Sequence, residues 1–269
     1  MNAQRTIFIA AISSDIGREL ALLYRKRGDR VIGTYRNAAH ASALQGQEGL
    51  DLLPCDVSDR QSVASAAAKL QALGKPWDIF VSAVGDLRPI DPFFESDIDA
   101  WAASVDVNAI AQLRLLHAIH PHRRQGAMAK VAFLVGGGIN GPFRNYSAYC
   151  LGKIMLVKAC ELLHDEAPDI HAVAIGTGWV DTKIHRQTLA AGEKAGANLR
   201  RTTDFLSSGQ TGTAYSDILA CMDWCFSQAR AVTGGRNFSV VHDAWKEEAG
   251  LAADLLRDTD KYKLRRSGN

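Results

Sequence analysis

The runs Ile7-Phe8-Ile9-Ala10-Ala11-Ile12 and Val131-Ala132-Phe133-Leu134-Val135 contain no polar residue. A strand with one wet face alternates apolar and polar side chains, so an unbroken apolar run reads as a strand buried on both faces. Runs of this kind recur along the chain, each followed by a longer segment with helical spacing. Strands are expected at 6–11, 30–35, 49–55, 77–83, 130–135, 170–175 and 236–241. Helices are expected at 16–26, 60–73, 98–119, 147–166 and 210–228, with Ser58 or Asp59 capping the second and Pro121 stopping the third. Strands that alternate with helices form βαβ units with right-handed crossovers and a parallel sheet. The expected fold is therefore α/β: one doubly wound domain over 1–243, a seven-stranded parallel sheet with helices on both faces. Residues 244–269 extend beyond it.

The chain has 269 residues, enough for a sizeable core. A net charge of +2 argues against a dominant nucleic-acid surface. No segment approaches the roughly 20 apolar residues that cross a bilayer. The first residues turn polar too soon for a secretion signal, so a soluble, cytoplasmic protein without membrane partners is expected. The five cysteines, Cys55, Cys150, Cys160, Cys221 and Cys225, are expected to be reduced thiols. Neither Cys221/Cys225 nor the group His117, His120 and His122 has the spacing of a metal site, and no metal is expected.

In an open parallel sheet, ligands bind outside the carboxyl ends of the strands. The first strand runs into Ala10-Ala11-Ile12-Ser13-Ser14-Asp15-Ile16-Gly17 and then a helix. A glycine-rich turn there would offer free backbone N–H groups and a helix N-terminus to a pyrophosphate. Only Gly17 stands in a glycine position. Ala11 takes the first, and Asp15 places a carboxylate at the middle one. On its own this stretch reads equally as a plain strand–turn–helix capped by Ser13 or Ser14.

Later strand ends supply context. Cys55-Asp56-Val57 ends the third strand, where a carboxylate can accept a hydrogen bond from an adenine amino group. Ser82-Ala83-Val84-Gly85 ends the fourth, where backbone can approach a ribose. Asn108 interrupts an apolar helical stretch and so needs a partner. Tyr149 and Lys153 lie one turn apart on one helix face. Gly178-Trp179-Val180-Asp181-Thr182 follows the sixth strand, and Val232-Thr233-Gly234-Gly235 precedes the seventh.

This order of features resembles the short-chain dehydrogenase/reductase family, from Thr6 to about Asp243. The family pattern TGxxxGxG falls on positions 10–17 with two of its three glycines missing. The NNAG element falls on 82–85, the helix Asn on Asn108, and the YxxxK pair on Tyr149 and Lys153. The PG element falls on Thr177-Gly178, with Thr182 near the carboxamide end of a cofactor and Val180 among the residues expected to bind it. The resemblance implies a Rossmann-type fold, a nicotinamide dinucleotide, and a homodimer or homotetramer formed through the helices that carry Asn108 and Tyr149. Where NAD-dependent members place an acidic residue after the second strand, this chain has Thr34-Tyr35-Arg36. Arg36 suits a 2′-phosphate by charge-assisted bonds, so NADP(H) is favoured and NAD(H) stays open.

The chemistry is also implied by the resemblance. Tyr149 exchanges a proton with a carbonyl or alcohol oxygen as hydride moves at the nicotinamide. Lys153 lowers the Tyr149 pKa and holds the nicotinamide ribose, and Asn108 anchors a water relay. A Ser hydroxyl normally assists from about 13 residues before the Tyr. That count lands on Gly136, within Gly136-Gly137-Gly138. Ser147 is too close to Tyr149 to replace it, which leaves Asn140, Asn145 or a backbone N–H.

The expected function is an NAD(P)(H)-dependent oxidoreductase that interconverts a carbonyl and a secondary alcohol on a small polar substrate such as a sugar derivative. Two alternatives stay open: a nucleotide-binding relative with little redox activity, and an epimerase or isomerase with a retained cofactor. The segment 183–209, rich in Gly, Thr, Ser and Arg, is expected to be a mobile substrate lid, with Arg200 and Arg201 facing an anionic group. In 244–269, Trp245, Leu251, Leu255 and Leu256 suggest an amphipathic helix packed on the domain or on a partner subunit.

Overall fold

The fully apolar runs do form the strands of one parallel sheet. In the computed structural model, which describes residues 4–210, 212–247 and 249–266, strands β1 (Thr6–Ala10), β2 (Arg30–Tyr35), β3 (Leu50–Pro54), β4 (Ile79–Ser82), β5 (Ala129–Val135), β6 (Ile170–Gly176) and β7 (Asn237–Ser239) pair in the order β3-β2-β1-β4-β5-β6-β7. Every pairing is parallel, with Ile7 opposite both Val31 and Ile79. Side chains alternate between two packed layers. Ile7 and Ile9 point into one core and Phe8 and Ala10 into the other.

The helices are α1 (Asp15–Lys26), α2 (Ala38–Ala41), α3 (Arg60–Leu73), α4 (Ile98–Val105), α5 (Ala111–Ile119), α6 (Ser147–Glu166), α7 (His185–Ala191), α8 (Ala197–Ser207), α9 (Tyr215–Ser227), α10 (Arg230–Thr233) and α11 (Ala249–Arg257). Helices α1, α9 and α11 cover one face of the sheet, and α3, α5 and α6 cover the other. Asp59 caps α3 by accepting the Gln61 N–H at 2.9 Å.

Three sequence expectations are corrected. The helix expected over 98–119 is broken by a π-helical segment, Asp106–Ile110, around buried Asn108. Inserting one residue into the ladder turns Asn108 toward a partner on another loop. The helix expected from 210 starts at Tyr215, since Gly212 has a left-handed φ of 68°; Thr211 lies outside the described residues. The segment 183–209 is mostly the helices α7 and α8 rather than open loop. Their inner faces bury Thr188, Asn198 and Thr202. The extension packs on its own chain: Trp245, Leu251 and Leu255 enter the core, whereas Leu256 is exposed.

The tail also closes a sheet edge. The Asn237 N–H on β7 donates to the Tyr262 carbonyl at 2.9 Å. Buried Arg236 donates to the carbonyls of Leu255, Asp258 and Lys261. An edge strand presents unpaired backbone groups, and the tail satisfies some of them here. All five cysteines are buried and unlinked.

Candidate active site

The strand order reverses between β1 and β4, and a cleft of about 1020 Å³ opens at the carboxyl ends of the strands there. The expected residues Ala11, Ser13, Ser14, Asp15, Ile16, Arg36, Asp56, Val57, Ala83, Val84, Gly85, Gly136, Tyr149, Lys153, Gly178, Val180 and Thr182 all line it. Two do not: Gly17 is buried beneath the first turn, and Asn108 lies behind the wall with no exposure.

At the first turn, Ala11 adopts φ 59°, the left-handed conformation that a glycine takes without strain. Its carbonyl accepts the Ser14 N–H at 3.0 Å. Ser14 caps α1, its hydroxyl accepting the Gly17 N–H at 3.1 Å. A Cβ at Gly17 would lie 2.4 Å from the Ala11 carbonyl oxygen, so this glycine is required by close approach. The turn therefore keeps its tight backbone with one glycine. Thr34 secures it from β2, its hydroxyl accepting the Ala11 N–H at 3.1 Å.

Asp15 sits in the first turn of α1, where a carboxylate suits the helix dipole. It accepts the backbone N–H of Lys183 at 2.6 Å, and its other oxygen is 3.5 Å from the Lys183 ammonium. Arg36 is exposed at the end of β2, with Tyr35 and Asn37 beside it. Asp56 spends one oxygen on its own turn, accepting from the Ser58 N–H and hydroxyl at 3.0 and 2.6 Å.

The other end of the cleft holds Tyr149 and Lys153, both buried on α6. The Lys153 ammonium donates to the carbonyls of Val84 at 2.7 Å and Leu134 at 3.0 Å. Burial alone lowers its pKa to about 7. Burial pushes the Tyr149 phenol well above its ordinary value. Lys153 is expected from the sequence to lower the Tyr149 pKa, and here its ammonium makes its hydrogen bonds elsewhere. The ammonium is turned to the two carbonyls and lies 5.8 Å from the centre of the tyrosine ring.

Gly136 follows β5 directly and lies against that tyrosine. A Cβ there would stand 2.1 Å from the Tyr149 hydroxyl. The phenol thus presses into the space a side chain at 136 would need. Ser147 faces away and accepts a hydrogen bond from the Trp101 indole N–H at 2.9 Å. Asn145 is spent on the Lys194 carbonyl, while Asn140 lines the cleft.

Asn108 locks the loop after β4. Its amide donates to the Asp86 carbonyl at 2.7 Å and to the Ser104 carbonyl at 2.9 Å, and its oxygen accepts the Asp86 N–H at 3.1 Å. Gln112, one turn on and equally buried, accepts from the Ser82 hydroxyl at 2.7 Å. Gln112 carries in the sequence the same signal as Asn108, a polar amide in an apolar helix.

Other cleft residues, on α7 and α8, have no such local signal. Gln187 accepts the Leu87 N–H at 2.8 Å, tying α7 to the loop after β4. Tyr146 donates its hydroxyl to Thr188 at 3.0 Å. Thr188, Asn198 and Thr202 line the cleft with Arg201, whereas Arg200 faces Asp204 on the surface. Only the folded pairing of α7 with α8 gathers these residues.

A family model described as enoyl-(acyl carrier protein) reductase matches residues 10–237. An uncharacterized short-chain type dehydrogenase/reductase of Sinorhizobium fredii is 32% identical over 200 residues, 69% of this chain and 77% of that protein. The chain belongs to the short-chain dehydrogenase/reductase family. As a short-chain dehydrogenase/reductase it is an oxidoreductase of a group that uses NAD(P), is typically oligomeric and takes small-molecule substrates. Estradiol 17-beta-dehydrogenase 1 of Rattus norvegicus is 31% identical over 196 residues, covering 67% of this chain and 56% of the relative. A short-chain dehydrogenase/reductase structure from Saccharomyces cerevisiae superposes with a TM-score of 0.79 at 19% identity, covering 90% of this chain and 98% of the other, and shows the shared fold. Among the described residues no helix is long and apolar enough to cross a membrane.

Proposed function

We propose that this enzyme interconverts a carbonyl and a secondary alcohol on a small polar substrate, a sugar derivative being the best fit, with NADP(H) preferred over NAD(H). The observation that carries the reading is one cleft with a tight turn at the N-terminus of α1 at one end and the buried Tyr149/Lys153 pair at the other. The cradle suits a dinucleotide: Gly17 allows the tight turn that a Cβ would push apart, and Arg36 offers an exposed guanidinium for a 2′-phosphate. When bound, the nicotinamide supplies or accepts a hydride.

The chain's own residues handle the proton. Burial holds Tyr149 protonated at rest, so it serves as the acid when a carbonyl is reduced. Lys153, with a pKa of about 7, places its ammonium beside the Val84 carbonyl at the ribose end and compensates the phenolate once the proton has left. Asn108 positions the 84–86 loop. With no hydroxyl at 136, the substrate oxygen is held by Tyr149 and by backbone of the glycine run or Asn140. Gln187, Thr188, Asn198, Arg201 and Thr202 give the substrate end a polar wall, which favours a hydroxylated molecule over a steroid. The segment 183–209 acts as the lid.

A nucleotide-binding role with little turnover is the second reading. It is supported by Lys153 bonding to carbonyls and by the phenol lodged against Gly136. Fluorescence titration with NADPH and NADH, followed by a ketone, aldehyde and polyol panel, separates the two. Turnover is expected, and Tyr149→Phe should lower kcat by roughly 10²–10⁴ while cofactor still binds. Binding without turnover on any substrate would favour the second reading, and an undiminished Tyr149→Phe would remove Tyr149 from the mechanism. Arg36→Asp should weaken NADPH by about tenfold, the worth of one charge-assisted contact, and leave NADH unchanged or tighter. An unaltered preference would exclude Arg36.

A further inference from the structure

We propose that Lys183, positioned by Asp15, is the cation that faces the pyrophosphate of the bound dinucleotide. This rests on the cofactor reading above. Position 15 is where the turn before α1 would present a second glycine to the phosphates. Here it carries a carboxylate, and a carboxylate beside a pyrophosphate is repulsive unless a cation intervenes. That cation is at hand. Lys183 reaches position 15 from the opposite wall of the cleft, on the loop after β6, 168 residues away in sequence.

The contact has two parts with different consequences. The 2.6 Å bond from the Lys183 backbone N–H fixes the loop at the carboxylate. The ammonium, 3.5 Å from the other carboxylate oxygen, is only loosely held, and its side chain is 57% exposed. It is therefore free to turn to an incoming phosphate while the backbone bond stays. The Asp15 side chain is 13% exposed and remains in the wall. The loop is braced from behind as well, because the Tyr215 hydroxyl on α9 donates to the Asp181 carbonyl at 3.2 Å. Arg18 and Glu19, the next charges on α1, pair with each other at 3.1 Å. Asp15 and Lys183 are neutral as a pair, and removing Lys183 leaves the Asp15 carboxylate uncompensated. The arrangement replaces a glycine turn that would expose backbone N–H groups with a side-chain cation held from across the cleft.

Equilibrium binding of NADPH, read by its fluorescence, tests this in wild type, Lys183→Ala, Asp15→Ala and the double variant, with 2′-AMP as a ligand that lacks the pyrophosphate. Lys183→Ala should weaken NADPH about tenfold, as for loss of one charge-assisted contact, flatten the salt dependence of Kd, and leave 2′-AMP unchanged. In the Asp15→Ala background, where the Lys183 N–H and ammonium both lose their carboxylate partner, the same change should matter less than about twofold. Lys183 is exposed, so its alanine variant should fold normally, and thermal melting checks that. Wild-type NADPH binding with an unchanged Lys183→Ala variant overturns this proposal alone. So does an equal loss in both backgrounds, which would show that Asp15 does not position the lysine. A wild type that binds neither dinucleotide overturns the cofactor reading and this one together.

Discussion

At position 136 a single carbon atom decides the shape of the reaction end. Any side chain there would begin with a Cβ 2.1 Å from the Tyr149 hydroxyl. Atoms that close must separate, so either the tyrosine swings out or β5 shifts. Gly136→Ala is expected to lower stability by about 1–3 kcal/mol, as overpacking does, and to reduce kcat because the acid is displaced. Denaturant melts and steady-state kinetics measure both effects. Gly136→Ser should behave like the alanine variant, since the conflict arises at Cβ before the hydroxyl is reached. A serine variant with higher kcat and unchanged stability would defeat this packing account. Ala11 shows the converse case, a residue with a Cβ at φ 59° in a place that favours glycine.

At the scale of elements, α6 serves two surfaces. Its inner face buries Tyr149, Lys153, Leu156 and Val157, while Leu151, Met155 and Leu162 are 46%, 38% and 48% exposed on the outside. Ile98 on α4 and Ile110 at the end of the π segment add 59% and 45% exposed apolar side chains. Exposed apolar side chains on these helices suit the pairing of two copies through them that the family resemblance implies. The double variant Leu151→Glu/Met155→Glu should shift the protein to monomer in light scattering. An unchanged mass would place the oligomer contact elsewhere, and a monomeric wild type would remove it. The π segment on the neighbouring helix has a different purpose, turning Asn108 toward Asp86.

Across the whole molecule, acid should act through a residue far from the cleft. His171 on β6 is buried, and its Nε2 lies 2.8 Å from the Thr233 hydroxyl. That hydroxyl donates its proton to the Cys225 carbonyl, so the ring Nε2–H is the donor toward Thr233. Burial, with Lys130 and Arg230 nearby, lowers its pKa from 6.5 to about 4. Between those values the unfolded chain takes up a proton that the folded chain refuses, so stability falls as pH falls. The loss attributable to His171 should approach about 3 kcal/mol by pH 4. His171→Gln should lose correspondingly less over the same range in denaturant melts, and parallel pH curves for the two proteins would contradict this.

The sheet was legible because its information is local. An apolar run such as Ile7–Ala10 needs only its own residues to declare that it is buried on both sides. Tyr149 and Lys153 were legible for a similar reason, being one turn apart on one helix. The second glycine's absence at position 15 was equally plain. What the chain alone left undecided concerns contacts between remote segments. The folding of 183–209 into α7 and α8 depends on burying Thr188, Asn198 and Thr202 against the body, and a Gly- and Ser-rich composition does not report that. The π register depends on Asp86, 22 residues from Asn108. The proton balance of Tyr149 and Lys153 depends on where the carbonyls of Val84 and Leu134 lie. The sequence by itself determined the strand–helix order, the parallel sheet and the residues that meet at its carboxyl end, because periodicity and spacing act along the chain. Only the tertiary structure decided that a phenol fills the space at Gly136 and that Lys183 meets Asp15, because burial and ångström-scale distance arise only when distant parts of the chain pack together.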